Sequence, residues 1–346
     1  MAAPGNLSPG QSSIPASQSI HDSECSFGVA MSVLMPKSVA DARDKICSLG
    51  VGRALVVVCA AAALGGCSGG ILQPQGPVGA AGAKILLNAV GIMSVIVVPT
   101  IVALLVIGFW FRASNTRARY QPSFVYSGRL EIIVWSIPIL VIMFLGGLTW
   151  IGSHQLDPFV PIASNAKDPP LEVQVVSLDW KWLFIYPQQR IASVNEVVVP
   201  ADTPVHFFLT SATVMNQFFV PQLGSMIATM HGMQTQLWLA ADHPGDYYGL
   251  SAQFSGDGFS GMHFTVRAVT HDDFQHWVAA TQQQSGPVLD RNGYFDLLRE
   301  SCNVQPFTYR NADPSLFAAV VRDQLPSGPG PYVGRAGPGV RPIGCG

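Results

Sequence analysis

The chain has 346 residues, of which 49% are hydrophobic and only 12% charged, against the roughly 25% charged typical of a soluble globular protein. Membrane segments produce such a deficit. A net charge of -2, with no basic cluster interleaved with aromatics, argues against a nucleic-acid partner, and six cysteines at positions 25, 47, 59, 67, 302 and 345, without C-x-x-C spacing, form no zinc or redox framework.

Residues 1–34 are rich in Ser, Pro and Gly without an apolar period, which reads as disorder or as translation begun upstream of a natural start at Met35. Lys37, Arg43, Lys45 and Arg53 then form a basic region ahead of an apolar run, 54–64, too short to cross roughly 30 Å of hydrocarbon. Together these read as a signal peptide. It ends Leu64-Gly65-Gly66-Cys67-Ser68, which resembles a bacterial lipobox, whose cysteine becomes lipidated and N-terminal after cleavage. The alternative is an ordinary signal peptide with a chance cysteine. A diacyl anchor on Cys67 would hold the new terminus at the outer face of the inner membrane. Residues 1–66 are thus leader and signal, and 67–84, rich in Gly and Ala, are expected to be a flexible leader.

Two apolar runs follow, 85–111 without a charged side chain and 130–151, and each exceeds the roughly 20 residues a helix needs to span a bilayer. They predict a transmembrane hairpin over 85–153; the alternative is a pair of buried helices in a soluble fold. Pro99 should kink the first helix and Pro138 lies in the second, while Trp135 and Trp150 stand where interfacial anchors are expected. The connection carries Arg112, Arg117, Arg119 and Arg129 and no acid before Glu131. The positive-inside rule therefore puts it in the cytoplasm and both outer ends in the periplasm.

After Pro158 the pattern changes to short β-rich runs separated by turn residues. Candidate strands are 171–177, 180–186, 194–199, 205–210, 217–220, 234–239, 247–253 and 263–269, a count and spacing that suggest a Greek-key sandwich over 160–270. From Thr270 the chain turns helical, with Asp272 and Asp273 in a first turn. Further short helices are expected at 293–299 and 313–323, giving a helical extension over 271–325. Residues 326–346 are rich in Gly and Pro and are expected to be disordered. Cys302 and Cys345 would share an oxidising compartment and either pair or stay as two free thiols.

The stretch from Met215 to Met262 resembles the copper-binding region of subunit II of the haem-copper oxidases. There, an early histidine precedes C-x-E-x-C-x-x-x-H-x-x-M. Matched position by position, the histidine falls on Asn216, the bridging cysteines on Ser251 and Ser255, the glutamate on Gln253 and the second histidine on Phe259; only the methionine survives, as Met262. Hydroxyls, an amide and a phenyl ring cannot replace two thiolates and two imidazoles, so these positions are expected to bind no metal. The bland alternative is an ordinary Gly/Ser-rich hairpin. Loss of ligands within a preserved frame resembles subunit II of the cytochrome bo-type ubiquinol oxidases, which take electrons from membrane quinol and not from cytochrome c.

That resemblance implies a membrane-anchored all-β protein: a two-helix transmembrane hairpin, then a periplasmic cupredoxin-like Greek-key β-sandwich with a C-terminal helical extension. It implies a multi-pass protein of the bacterial inner membrane, partnered by subunit I, other oxidase subunits and lipid, in a complex whose substrate is ubiquinol. No cofactor is expected in this chain, and the haems and copper are expected in subunit I. Glu131 aligns with a glutamate at the mouth of a proton-uptake channel; the alternative is a headgroup-level carboxylate paired with Arg129. The aromatics of 179–187 resemble a stretch facing electron arrival in copper-bearing relatives, but without copper they are expected to pack the sandwich or an interface. His206, His231, His243 and His263 fall on no ligand position, and Met226, Met230 and Met233 are expected to be packing or interface material. Two other readings are a cytochrome c oxidase subunit II and a non-catalytic scaffold lipoprotein that has kept only the cupredoxin shape.

Overall fold

The computed structural model describes residues 70–119, 121–162 and 169–328. The signal peptide, Cys67, Cys345 and the tail beyond residue 328 lie outside the described residues. Helix α1 (Pro77–Trp110) and helix α2 (Gly128–Gln155) are long and apolar enough to cross a membrane. At about 1.5 Å per residue they run roughly 51 and 42 Å, longer than the roughly 30 Å hydrocarbon core. Ile85 of α1 packs on Gly152 of α2, where a Cβ would come within 2.7 Å of the isoleucine.

The stretch read as a flexible leader is helical from Pro77 onward, eight residues before the apolar run, and the cause is docking. Gln75 N–H donates to Gln222 O at 2.8 Å, Gly79 N–H to Leu223 O at 2.9 Å, and Asp242 N–H to Gln75 O at 2.8 Å. The bond from Gly79 satisfies one of the four N–H groups that a helix start leaves without partners. Gly79 is required by the close approach, since a Cβ there would sit 2.7 Å from Gln222 O. Composition suggested flexibility where the small residues serve contact.

The sandwich comprises β1 (Leu171–Leu178), β2 (Lys181–Tyr186), β3 (Ile191–Val194), β4 (Glu196–Pro200), β5 (Val205–Ser211), β6 (Asn216–Phe219), β7 (Ile227–Thr229), β8 (Thr235–Leu239), β9 (Gly245–Ser251) and β10 (His263–Val269). Helix α3 (His271–Gln283), β11 (Val288–Leu289), α4 (Arg291–Leu297), β12 (Phe307–Tyr309), β13 (Asn311–Ala312) and α5 (Leu316–Val321) form the extension. One sheet has the order β12-β3-β2-β1-β5-β8, the other β4-β10-β9-β6-β7. Pairs β1/β5 and β10/β4 are parallel, as crossovers between sheets require, and the other pairs in these two sheets are antiparallel. All eight anticipated strands occur. The run 194–199 is divided by Asn195, whose φ of 55° breaks the pleat between β3 and β4; β3 and the three-residue β7 were not anticipated.

Between the sheets lies an aromatic core. Trp182 meets Phe218 and Phe264 at 5.5 and 5.4 Å between ring centroids, in edge-on geometry. Tyr186 donates to Val198 O at 3.0 Å and accepts from Val198 N–H at 2.8 Å. The aromatic stretch 179–187 therefore packs the sandwich. The extension builds a second apolar layer on the outer face of the first sheet, where Tyr294, Leu297, Leu316, Phe317 and Val320 cover Val176, Leu178, Leu183 and Ile185. Strand β2 is consequently buried along its whole length, which is why residues 182–186 read as an apolar run rather than an alternating one. Thr270 caps α3 by accepting from Asp273 N–H at 3.2 Å. The later helices start at Arg291 and Leu316, two residues before and three after their anticipated starts, and Asp290 caps the first by accepting from Gly293 N–H at 2.8 Å.

Candidate functional site

The fold brings most of the metal-ligand positions of the sequence into one place. Asn216 opens β6, Ser251 closes β9, and Ser255 and Met262 lie on the loop leading into β10; all four are buried. Ser251 Oγ donates to Asn216 Oδ1 at 3.1 Å, and Ser251 N–H donates to Met262 O at 3.2 Å. Ser255 Oγ donates to the Met262 thioether at 3.9 Å. Gln253 contributes its carbonyl, 3.3 Å from Ser251 Oγ, and its side chain is half-buried. Phe259 turns to the exposed Phe254 ring, 5.6 Å away.

A dinuclear copper centre needs bridging thiolates and capping imidazoles. This donor set does not fit it. Two hydroxyls, an amide and one thioether are already committed to one another, so each polar atom finds a partner inside the protein. Among the described residues no group of three or more His, Cys, Asp or Glu side chains is placed to hold a metal.

A family model described as "Cytochrome C oxidase subunit II, periplasmic domain" matches residues 171–269, the span of β1 to β10. "Cytochrome bo(3) ubiquinol oxidase subunit 2" of Pseudomonas aeruginosa is 45% identical over 258 residues, covering 75% of this chain and 77% of that protein. "Ubiquinol oxidase subunit 2" of Acetobacter aceti is 44% identical over 258 residues, covering 75% of this chain and 83% of its own length. The chain belongs to the ubiquinol oxidase subunit 2 family. Among solved structures, the periplasmic domain of subunit II of cytochrome oxidase from Bradyrhizobium japonicum aligns with a TM-score of 0.32 at 23% identity, over 35% of this chain and 96% of that one.

In this chain the turn between β1 and β2 carries a group that sequence reasoning missed. Asp179 and Lys181 are each 2% exposed, and Trp180 between them holds a φ of 62°, a left-handed conformation costing an L-residue about 1–2 kcal/mol. Asp179 Oδ1 accepts from Thr213 Oγ1 at 2.6 Å, on the loop before Asn216. Lys181 Nζ donates to Arg299 O and to Ser301 Oγ, both at 2.6 Å. Burial raises the Asp179 carboxyl above its ordinary range, against the lowering pull of Thr213 and Lys181. Burial likewise lowers Lys181 to about 8, although Asp179 and Glu300 favour its charge. The available signal was two charges flanking a tryptophan in an otherwise apolar strand pair.

Glu131 lies in the first turn of α2, and its side chain is exposed. Among the described residues no ion pair joins its carboxylate to Arg129. The histidines scatter. His206 stacks on Trp238 at 4.0 Å, His231 pairs with Asp323 at 3.3 Å, and His263 stacks on Tyr248 at 5.8 Å. Met226 and Met233 are exposed, while Met230 is half-buried. Cys302 is disulfide-bonded.

Proposed function

We propose that this chain is subunit II of a proton-pumping ubiquinol oxidase, a complex that oxidises quinol, reduces oxygen to water and moves protons across the membrane. One observation carries the reading: both bridging thiolate positions are serines whose hydroxyls are spent on Asn216 and Met262, in a chain whose relatives are named ubiquinol oxidase subunit 2. A subunit serving cytochrome c needs a metal relay at this end of the sandwich. The donor set here offers none, which weighs against the cytochrome c reading. The chain carries no redox centre of its own, and the haems and the copper of the oxygen site belong to subunit I.

The subunit is anchored in the membrane by α1 and α2. In our reading it is a multi-pass protein of the bacterial inner membrane, with the sandwich in the periplasm and the arginine-bearing connection in the cytoplasm. Its partners are subunit I, the other oxidase subunits and the surrounding lipid, and Cys67 carries an added lipid anchor. Glu131, an exposed acid at the cytoplasmic head of α2, collects protons and passes them to subunit I. The deciding experiment purifies the chain with its native partners and measures oxygen uptake with ubiquinol and, separately, with reduced cytochrome c. Uptake with quinol alone supports the reading; uptake driven by cytochrome c sinks it.

A further inference from the structure

In a copper-bearing site the metal itself ties the loop before β6 to the loop between β9 and β10, and metal binding then fixes the local fold. Without a metal, another element must supply that constraint. We propose that residues 299–304 act as a strap, drawn in by Lys181, that holds the 251–262 loop in the arrangement a metal would otherwise impose.

The strap is anchored at both ends. Lys181 Nζ donates to Arg299 O and Ser301 Oγ at 2.6 Å each, and Asn195 Nδ2 donates to Val304 O at 2.7 Å. Between these anchors the strap lies against the loop. A Cβ on Gly258 would collide with Cys302 Sγ and with the Trp180 indole, and a Cβ on Gly261 would collide with Asn303 Oδ1. Both loop positions are glycine because strap and indole leave no room for a side chain. Trp180 also reaches the loop backbone, donating from Nε1 to Ser255 O at 3.1 Å. Asp179 binds Thr213 on the loop before Asn216, so three consecutive residues reach both former ligand loops and the extension.

A buried lysine and a left-handed tryptophan are each costly, and such features persist only where their surroundings over-determine them. An extension serving only to cover the outer sheet face would need neither. Its apolar residues Tyr294, Leu297, Phe317 and Val320 already do that from α4 and α5. Lys181 is thus a positioning residue, acting on the loop through the strap.

The proposal rests on the reading that no copper ties these loops, and the test separates the two. Amide hydrogen exchange is followed by mass spectrometry on the assembled complex, comparing the native chain with Lys181→Met and Ser301→Ala. Local opening sets the exchange rate, so amides within 252–262 should exchange about tenfold faster in Lys181→Met and less so in Ser301→Ala, with β1 and β5 unchanged. If only 299–304 loosens while the loop keeps its protection, the strap does not organise the loop and the proposal fails. Equal acceleration in β1 and β5 means general destabilisation and also overturns it. Should Lys181→Met not assemble, Ser301→Ala decides alone by the same criteria. Native complex treated with a copper chelator must show unchanged loop exchange; acceleration there means that a metal organises the loop, whereas copper bound elsewhere in the chain would count against the copper-free reading alone.

Discussion

Ser251 Oγ lies 3.1 Å from Asn216 Oδ1, a neutral hydrogen bond standing where two strands would otherwise share a metal ion. It joins the end of β9 to the start of β6 inside the core, and neither side chain reaches solvent. Such a bond contributes about 1 kcal/mol net, but leaving one partner buried alone costs about 1–3 kcal/mol.

The complex should therefore contain no stoichiometric copper in this subunit after copper loading, as measured by metal analysis of the separated chain. Ser251→Ala should lower the stability of the chain by about 1–3 kcal/mol, because Asn216 Oδ1 loses its donor. Two coppers per chain would sink the assignment. The fivefold change Asn216→His, Ser251→Cys, Gln253→Glu, Ser255→Cys and Phe259→His supplies the missing donors, and a purple absorbance on adding copper would report a rebuilt centre.

Glu131→Gln keeps shape and hydrogen bonding but removes the titrating group. Quinol oxidation by the assembled complex should slow on the order of tenfold, less than the roughly 100-fold or more of direct acid–base catalysis, since water still delivers protons. Glu131→Asp should be milder, because a carboxylate remains at shorter reach. A Gln variant with full haem content and native turnover across the pH range would make Glu131 a surface anchor only.

Lys181 gives the chain a pH signature. Its folded value of about 8 lies below the roughly 10.4 of an unfolded lysine, so between these values the unfolded chain holds more protons than the folded one. Stability should accordingly rise with pH in that window, by of order 1 kcal/mol per pH unit. The hydrogen bonds to Arg299 O and Ser301 Oγ survive there, because a neutral amine still donates. Asp179 works in the opposite sense at lower pH: its raised carboxyl contributes stability that is lost as pH rises through its folded value. Denaturant titrations from pH 7 to 10 on the native chain and Lys181→Met check this. The rise above pH 8 should vanish in the variant.

For Cys67, the intact mass of the mature chain should match an N-terminus at that residue plus acyl groups. A mature chain retaining residues 35–66 would refute lipidation. Cys67→Ser should leave the protein in the membrane, because the apolar helices α1 and α2 would hold it far more firmly than acyl chains do.

The sequence exposed the features that repeat locally. Eight strands were legible because alternation and turn residues mark them, and the former ligand positions because they keep their spacing around Met262. Strand β3 stayed hidden because Arg190 and Asn195, both at positive φ, bracket four residues too short to show a period. The head of α1 was misread because Gly79 answers to Gln222, which no nearby residue reveals. The strap was illegible for the same reason on a larger scale: Lys181 and Arg299 are 118 positions apart.

The burial of β2 on both faces has a consequence for how the protein is made. Its outer face is covered by α4 and α5, which follow the sandwich in the chain, whereas its inner face closes once β10 has followed. While the chain is being made, Leu183 and Ile185 therefore stay uncovered until the extension has followed the sandwich, a state prone to aggregation. A truncation before Arg291 would make that transient state permanent. The helices of the extension are thus part of the folding unit, and trimming the chain to its sandwich would leave the apolar outer face of β2 uncovered.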